Sequence, residues 1–148
     1  MSPDFRVSRP VSDADFERYF ALRWQLLRAP WEQPRGSERD EFEDVAFHLQ
    51  VQDRSGRLIG IGRLHCIDDT RGQIRYMAVV DAWRGRGVGT ALLQALEQQA
   101  RDWDLGEIRL HARQAAVDFY THHGYAVVAP SHTLFGSIPH FLMRKPLP

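Results

Sequence analysis

The sequence predicts a mixed α/β fold, one mostly antiparallel sheet of about six or seven strands flanked by about four helices. Three observations carry this. Val45 to Val80 reads as three consecutive strands joined by short polar turns, an antiparallel meander. The last of these strands runs through an Arg/Gly-rich turn into an amphipathic helix, and the strand after that helix should lie parallel to the one before it. Outside this stretch, helical and strand periodicities alternate to give the order β-α-α-β-β-β-α-β-α-β-β.

Phe5 to Ser8 is a short strand. Ser12 caps the first helix with Asp15 at the third helical position, an aspartate form of the capping box. Phe16, Tyr19, Phe20, Arg23, Leu26 and Leu27 recur at three- and four-residue spacing, so one face of this helix is buried. Arg23 and Trp24 read as a snorkelling surface cation and a packing indole, with pocket lining as the alternative. Prolines 30 and 34 stop Ala29 to Gly36 from being helical throughout. A loop carrying Trp31, Glu32 and Arg35 is either a substrate cover or a solvated connection with one buried indole. Ser37, with Asp40 three residues on, is expected to cap a second, short helix.

Val45 to Gln52, Leu58 to Ile67 and Gln73 to Val80 are the meander strands, turned at 53–56 and 68–72. In the middle strand Ile59, Ile61, Arg63, His65 and Ile67 share one face. The helix opening at Gly89 presents Leu92, Ala95, Leu96 and Gln99 to the core and runs to about Trp103. Glu107 to Ala112 is the parallel strand. Gln114 to His123 is the last helix, ended by Gly124. Tyr125 to Ala129 is a strand, 130–137 a loop, and Ile138 to Lys145 the strand that closes the sheet.

The stretch Ile74 to Thr90 carries the chemistry. Gly85, Gly87 and Gly89 let the backbone bend sharply and approach a ligand closely. The amides of residues 85–90 then point out of a helix start without intrahelical partners. Free donors, the positive end of the helix dipole and the flanking Arg84 and Arg86 make a phosphate site. The stretch is not a Walker A loop, which ends in Gly-Lys-Ser/Thr. Nor is it the dinucleotide fingerprint, because Thr90 stands where the third glycine would fall. What remains is Arg84-x-x-Gly87-x-Gly89 between a strand and a helix.

That motif resembles the GNAT superfamily of acyl-CoA N-acyltransferases, whose signature is Arg/Gln-x-x-Gly-x-Gly/Ala in the same context. A second family motif, a Phe/Leu-Tyr pair before a Gly-Phe/Tyr strand start, is matched by Phe119-Tyr120 and Gly124-Tyr125. The resemblance spans roughly Val45 to Lys145. Phe20 to Arg28, Gln33 to Asp40 and Ile138 to Lys145 also look like the acetyltransferase half of bacterial two-domain proteins, in which a GNAT domain precedes a hotdog thioesterase-like domain. No hotdog domain is expected in a chain running to Pro148, so a role in fatty-acid metabolism carries over poorly.

The resemblance implies a GNAT-type sheet and acetyl-CoA as acyl donor, leaving coenzyme A as product, with no metal. It implies that the backbones of Met77, Ala78 and Val79 hydrogen-bond the pantetheine arm. The amides of Arg84, Gly85, Arg86, Gly87, Val88 and Gly89, with Thr90, would hold the pyrophosphate. An amine would attack the thioester directly, with the amide near Ala78 or Val79 polarising the carbonyl. Tyr120 matches the acid that protonates the departing thiolate. Where the family often has an asparagine seven residues before that tyrosine, this chain has Arg113, which would touch the cofactor.

The base is open among His111, His65 and His140, each of a kind that is more often a packed or hydrogen-bonded structural histidine. Cys66 reads as a buried, inert thiol rather than a nucleophile. The seven histidines show no zinc spacing, and His122-His123 reads as a helix end.

Composition bounds the rest. At 148 residues, one domain spanning 1–148 is expected. Nineteen basic and nineteen acidic side chains cancel, which favours neither nucleic acid nor an anionic membrane. One cysteine precludes an internal disulfide and fits a reducing cytoplasm. No apolar signal core or membrane-length run is present. The sequence therefore reads as an acetyl-CoA-dependent N-acetyltransferase acting on a small-molecule or peptide amine, a monomer or a homodimer. The second reading is a non-catalytic CoA-binding module, possibly partnering a separate thioesterase.

Overall fold

A computed structural model describes residues 4–148. The strands are β1 (Phe5–Ser8), β2 (Phe47–Asp53), β3 (Leu58–Cys66), β4 (Arg71–Val79), β5 (Glu107–Arg113), β6 (Ala126–Leu134) and β7 (Ile138–Pro146). They form one seven-stranded sheet in the order β1-β2-β3-β4-β5-β7-β6. Every pairing is antiparallel except β4 with β5, the crossover expected from the helix between them. The helices are α1 (Asp13–Leu27), α2 (Val88–Asp102) and α3 (Val117–His122), with 3₁₀ turns at Ala29–Trp31, Asp81–Trp83 and Gln114–Ala116.

The capping box forms as expected, with the Ser12 hydroxyl accepting from the Asp15 amide and the Asp15 carboxylate from the Ser12 amide. Helix α2 lays Val88, Leu92, Leu93, Leu96 and Ala100 on one face of the sheet against Leu64, Ile108, Leu110 and Met143. Its buried stripe is turned slightly from the expected one, since Leu93 and Ala100 are buried while Gln99 is only partly covered. Helix α1 covers the other face, with Tyr19, Phe20, Leu22 and Leu27 packed on Ile61 and Tyr76. A register shift between Val51 and Gln52 inserts Ile59 as an extra residue in β3. Ile59 therefore joins the α2-side core, whereas Ile61 faces α1.

Five expectations are corrected. No helix forms at Ser37 to Asp40, because side chains take the backbone donors a helix would need. The Phe42 amide donates to Asp40 Oδ1 at 2.9 Å, the Asp40 amide to Glu43 Oε2 at 3.0 Å, and the Ser37 hydroxyl turns back to the Pro34 carbonyl. Strand β6 runs through 130–134, where a loop was expected. Pro130 is accommodated because β6 is the sheet edge and its pairing with β7 is irregular around the proline. Strand β7 accordingly lies between β5 and β6 rather than closing the sheet. Arg23 is fully buried, not snorkelling, and Cys66 is exposed at the end of β3, not buried.

Candidate functional site

The site begins where β4 and β5 part. They pair from Arg71↔Glu107 to Ile74↔Leu110 and then stop, although β5 continues against β7 as far as Arg113↔His140. The cause is a bulge in β4. Ile61↔Ala78 is followed by Arg63↔Arg75, so β4 carries one more residue than β3 across that interval. Tyr76 sits there at φ 60°, a left-handed conformation that costs a bulky residue about 1–2 kcal/mol. Its ring is held among guanidinium groups, with Arg23, Arg75 and Arg63 at 4.3, 4.4 and 4.9 Å from the centroid, contacts that offset the strain.

Beyond the bulge, β4 is paired on one side only. Val80 donates to Ile59, so by alternation along the strand the peptide groups of Val79 and Met77 face the opening toward β5. Their side chains meanwhile pack into the core under α2, and Ala78 packs on the α1 side. A cavity of about 350 Å³ occupies the opening, lined among others by Tyr76, Met77, His111, Arg113, Tyr120 and His140.

The strand leads into the turn before α2. Gly85 and Gly87 adopt φ 72° and 88°, and a side chain at either would project into open space. The glycines are thus required by backbone conformation. Gly89 serves a close approach instead, since a Cβ there would lie 3.3 Å from the Phe119 ring. Ala91 is the first amide of α2 to find a carbonyl, donating to Gly87, and the amides of 85–90 have no such partner among the described residues. Arg84 and Arg86 stand exposed beside them, Arg86 stacked 3.9 Å over the Trp83 ring. The Thr90 hydroxyl lies 3.1 Å from His123 Nε2, which ties the start of α2 to the end of α3. These free donors, open space and nearby cations fit a diphosphate.

Tyr120 is 8% exposed, packs edge-on against Phe119 and Tyr125, and lines the cavity. Burial pushes its phenol well above the ordinary value, so it holds its proton at neutral pH. Two of the three candidate histidines join it. His111 Nδ1 lies 2.6 Å from Ser131 Oγ, and His140 Nδ1 lies 2.9 Å from the Ile138 carbonyl. Burial lowers both imidazoles, helped by the neighbouring His132, so they are neutral at pH 7. His65 is elsewhere, stacked 4.3 Å from Phe42 with Nδ1 3.1 Å from Arg63 Nη2. Arg113 lines the cavity with its guanidinium 4.5 Å over Trp31. Cys66 does not line the cavity. Its thiol is raised by partial burial and by Asp69 and Asp68, which leaves it a poor nucleophile.

Sequence reasoning missed the ionic cluster beneath this site. Arg63 makes a paired bond to Asp40 at 2.6 and 3.0 Å, and Arg75 reaches the same carboxylate at 2.9 Å. Arg23 bonds Glu43 at 2.8 Å and the Glu38 carbonyl at 3.1 Å. Its partners come from a loop 15–20 residues distant, a separation that no local periodicity reveals. Arg28, at the end of α1, was likewise unmarked, yet it is 6% exposed and lines the cavity. Among the described residues no group of three or more histidine, cysteine, aspartate or glutamate side chains is arranged to hold a metal. No helix there is long and apolar enough to cross a membrane.

Comparison with known proteins agrees with this geometry. An uncharacterised N-acetyltransferase of Bacillus subtilis, YjcF, is 32% identical over 126 residues, covering 85% of this chain and 89% of its own. Among solved structures, a GNAT-family acetyltransferase from Staphylococcus aureus superposes with a TM-score of 0.80 at 13% identity, over 97% of this chain and 99% of its own. Another from Elizabethkingia anophelis, with acetyl-CoA bound, gives 0.75 at 12% identity over 99% of this chain and 100% of its own. The acetyltransferase (GNAT) family model matches residues 16–125, and the chain belongs to that family.

Proposed function

We propose that the chain is an N-acetyltransferase that takes acetyl-CoA as donor and a primary amine of a small molecule or peptide as acceptor. The observation that carries this reading is two sets of unpaired backbone donors, one on the open edge of β4 beside the cavity that contains Tyr120, the other in residues 85–90 at the start of α2, with the Arg84 amide between them turned to the Asp81 carbonyl instead. Acetyl-CoA bound to the Elizabethkingia relative supports the choice of donor. Acetyl-CoA would supply an activated thioester. The amides 85–90 and the Thr90 hydroxyl would hold its diphosphate, with Arg84 and Arg86 adding charge. Met77 and Val79 would bond the pantetheine arm through their peptide groups, and Ala78 would turn its side chain toward the α1 face.

The Val79 amide faces the opening and would donate to the thioester carbonyl oxygen as negative charge grows there. Neutral His111 or His140 would accept the proton of the incoming ammonium. Tyr120, kept protonated by burial, would donate to the departing sulfur. Arg113 lies on the cavity wall, within the space the two ligands would share.

Thiol release from acetyl-CoA over a panel of amines tests the reading. Tyr120→Phe should lower kcat by about 100-fold with little change in coenzyme A affinity, as expected for a lost general acid. Tight coenzyme A binding with no turnover on any amine would instead fit the CoA-binding module.

A further inference from the structure

The walls of the cavity are unbalanced in charge. Arg28, Arg75 and Arg113 line it, with His111, His132 and His140, and no aspartate or glutamate does so among the described residues. The nearest carboxylates are already engaged. Arg63 and Arg75 share Asp40, while Arg23 and Arg63 share Glu43, so three guanidiniums divide two carboxylates. Neither Arg28 nor Arg113 forms an ion pair among the described residues.

Arg28 is built into place. Its Nε donates to the Ser37 carbonyl at 2.9 Å and Nη1 to the Leu27 carbonyl at 2.8 Å. Only two of its five N–H groups therefore meet a backbone carbonyl. Its guanidinium lies 5.4 Å over Phe135, and Phe135 lies 6.1 Å from Trp31, on which Arg113 stacks. Two cations thus bracket a pair of aromatic rings. Burial opposes the charge on both, and Arg28 and Arg84 further oppose that on Arg113. Arg28 is nearly buried and Arg113 partly so, and an unneutralised guanidinium in such surroundings favours an anionic ligand.

We infer that the acceptor is a small amine carrying an anionic group, carboxylate or phosphate, which is bound by Arg28 and Arg113. The inference rests on the acetyl-transfer reading and narrows its acceptor. The same positive walls repel polyamines and other polycations, and they favour the uncharged form of an amine that must lose a proton before attack.

Thiol release is measured over matched acceptors: an α-amino acid against its carboxamide, 2-aminoethylphosphonate against ethanolamine, and spermidine as polycation. One or both anionic members should exceed their neutral partners by about 10- to 100-fold in kcat/KM, the scale of a charge-assisted hydrogen bond. Whichever pair shows the larger ratio identifies the anion. Equal rates within both pairs, or preference for spermidine, overturn the inference.

Arg28→Gln should raise KM for the anionic acceptors about 10-fold or more while leaving that for the neutral ones, and the Kd for coenzyme A, within about twofold. Arg28→Lys should restore part of the loss. Arg113→Gln, at a side chain with no hydrogen bond among the described residues, repeats the comparison of anionic with neutral acceptors, at saturating acetyl-CoA, without disturbing the end of α1. An equal loss for anionic and neutral acceptors in both Gln variants overturns the inference.

If coenzyme A binds but no amine turns over, calorimetry of an N-acetyl amino acid against its carboxamide on the CoA-loaded protein decides. Preference for the acid supports the pocket, and indifference overturns it. If coenzyme A does not bind, the acetyl-transfer reading fails by itself, and the same pair titrated into the free protein still scores the pocket.

Discussion

The two faces of the sheet are held by different physics. Under α2 the contacts are apolar, with Leu92, Leu93 and Leu96 against Leu64, Ile108 and Met143. One polar strut crosses that face, Tyr125 donating to Glu97 at 2.9 Å and Glu97 pairing with Lys145 at 3.1 Å. Under α1 the centre is ionic instead. Arg23 and Arg63, both fully buried, meet Asp40, Glu43, Tyr19 and His48 around the Tyr76 ring. Burial of area tolerates substitution in proportion to volume, whereas a buried charge tolerates nothing that removes its partner. The apolar face anchors α2, whose start carries the free amides of 85–90. The ionic face holds the loop 37–45 and the β4 bulge, and so shapes one wall of the cavity.

Changes to single partners should separate the two faces. The largest effect is expected on the ionic side, where Arg63→Ala leaves Asp40 and Glu43 short of charge and should cost about 3–5 kcal/mol in urea unfolding. Replacing both members of the pair, Arg63→Met with Asp40→Leu, should recover most of it. A double variant no more stable than the single would show that the pair is not separable from its neighbours. On the apolar side, Leu96→Ala should cost about 3 kcal/mol, whatever the pH.

Acid sharpens the contrast. Burial pushes the Asp40 carboxyl up, but the Arg63 hydrogen bond, the Phe42 amide and the Arg63 and Arg75 charges outweigh it and hold the pKa at about 2, against an ordinary 3.8. The folded value lies below the unfolded one, so this stability is complete above pH 3.8 and is lost as pH falls from there toward 2. It amounts to about 2 kcal/mol. Asp40→Asn should flatten stability across that window, and Leu96→Ala should shift the whole curve down without changing its slope. The smallest effect belongs to Gly87→Ala, about 1–2 kcal/mol from its φ of 88°, accompanied by weaker coenzyme A binding. Unchanged binding in that variant would argue against a role for the turn.

What could be read from the sequence follows the same division. The α2 face was legible because leucines at helical spacing report burial directly, and the sharp turn before it because alternating glycines between a strand and a helix mark positive φ. The crossover through α2 makes a parallel β4–β5 pairing the expected one, and it forms. The ionic face was not legible. Arg23 at an otherwise apolar helix position looked like a cation with a buried stem, since its acceptors Glu38 and Glu43 lie beyond two prolines. The same residues hid the loop. Ser37 to Asp40 has the composition of a helix start, yet Asp40 is drawn to Arg63 and caps the Phe42 amide. The bulge at Tyr76 left no mark, because an aromatic at positive φ is stabilised by cations from α1 and β3. Pro130 suggested a loop, and only the edge position of β6 makes it tolerable.

The central claim is that unpaired peptide donors on the open side of β4 and in the first turn of α2 together seat an acyl-CoA. Amide NMR shifts followed during titration with acetyl-CoA test it most directly. The account predicts saturable shifts that are largest at 85–90 and at Met77 and Val79, with the buried amides of β2 unmoved. Saturation with the largest shifts on the β6 edge, or no shift at millimolar ligand, would contradict it.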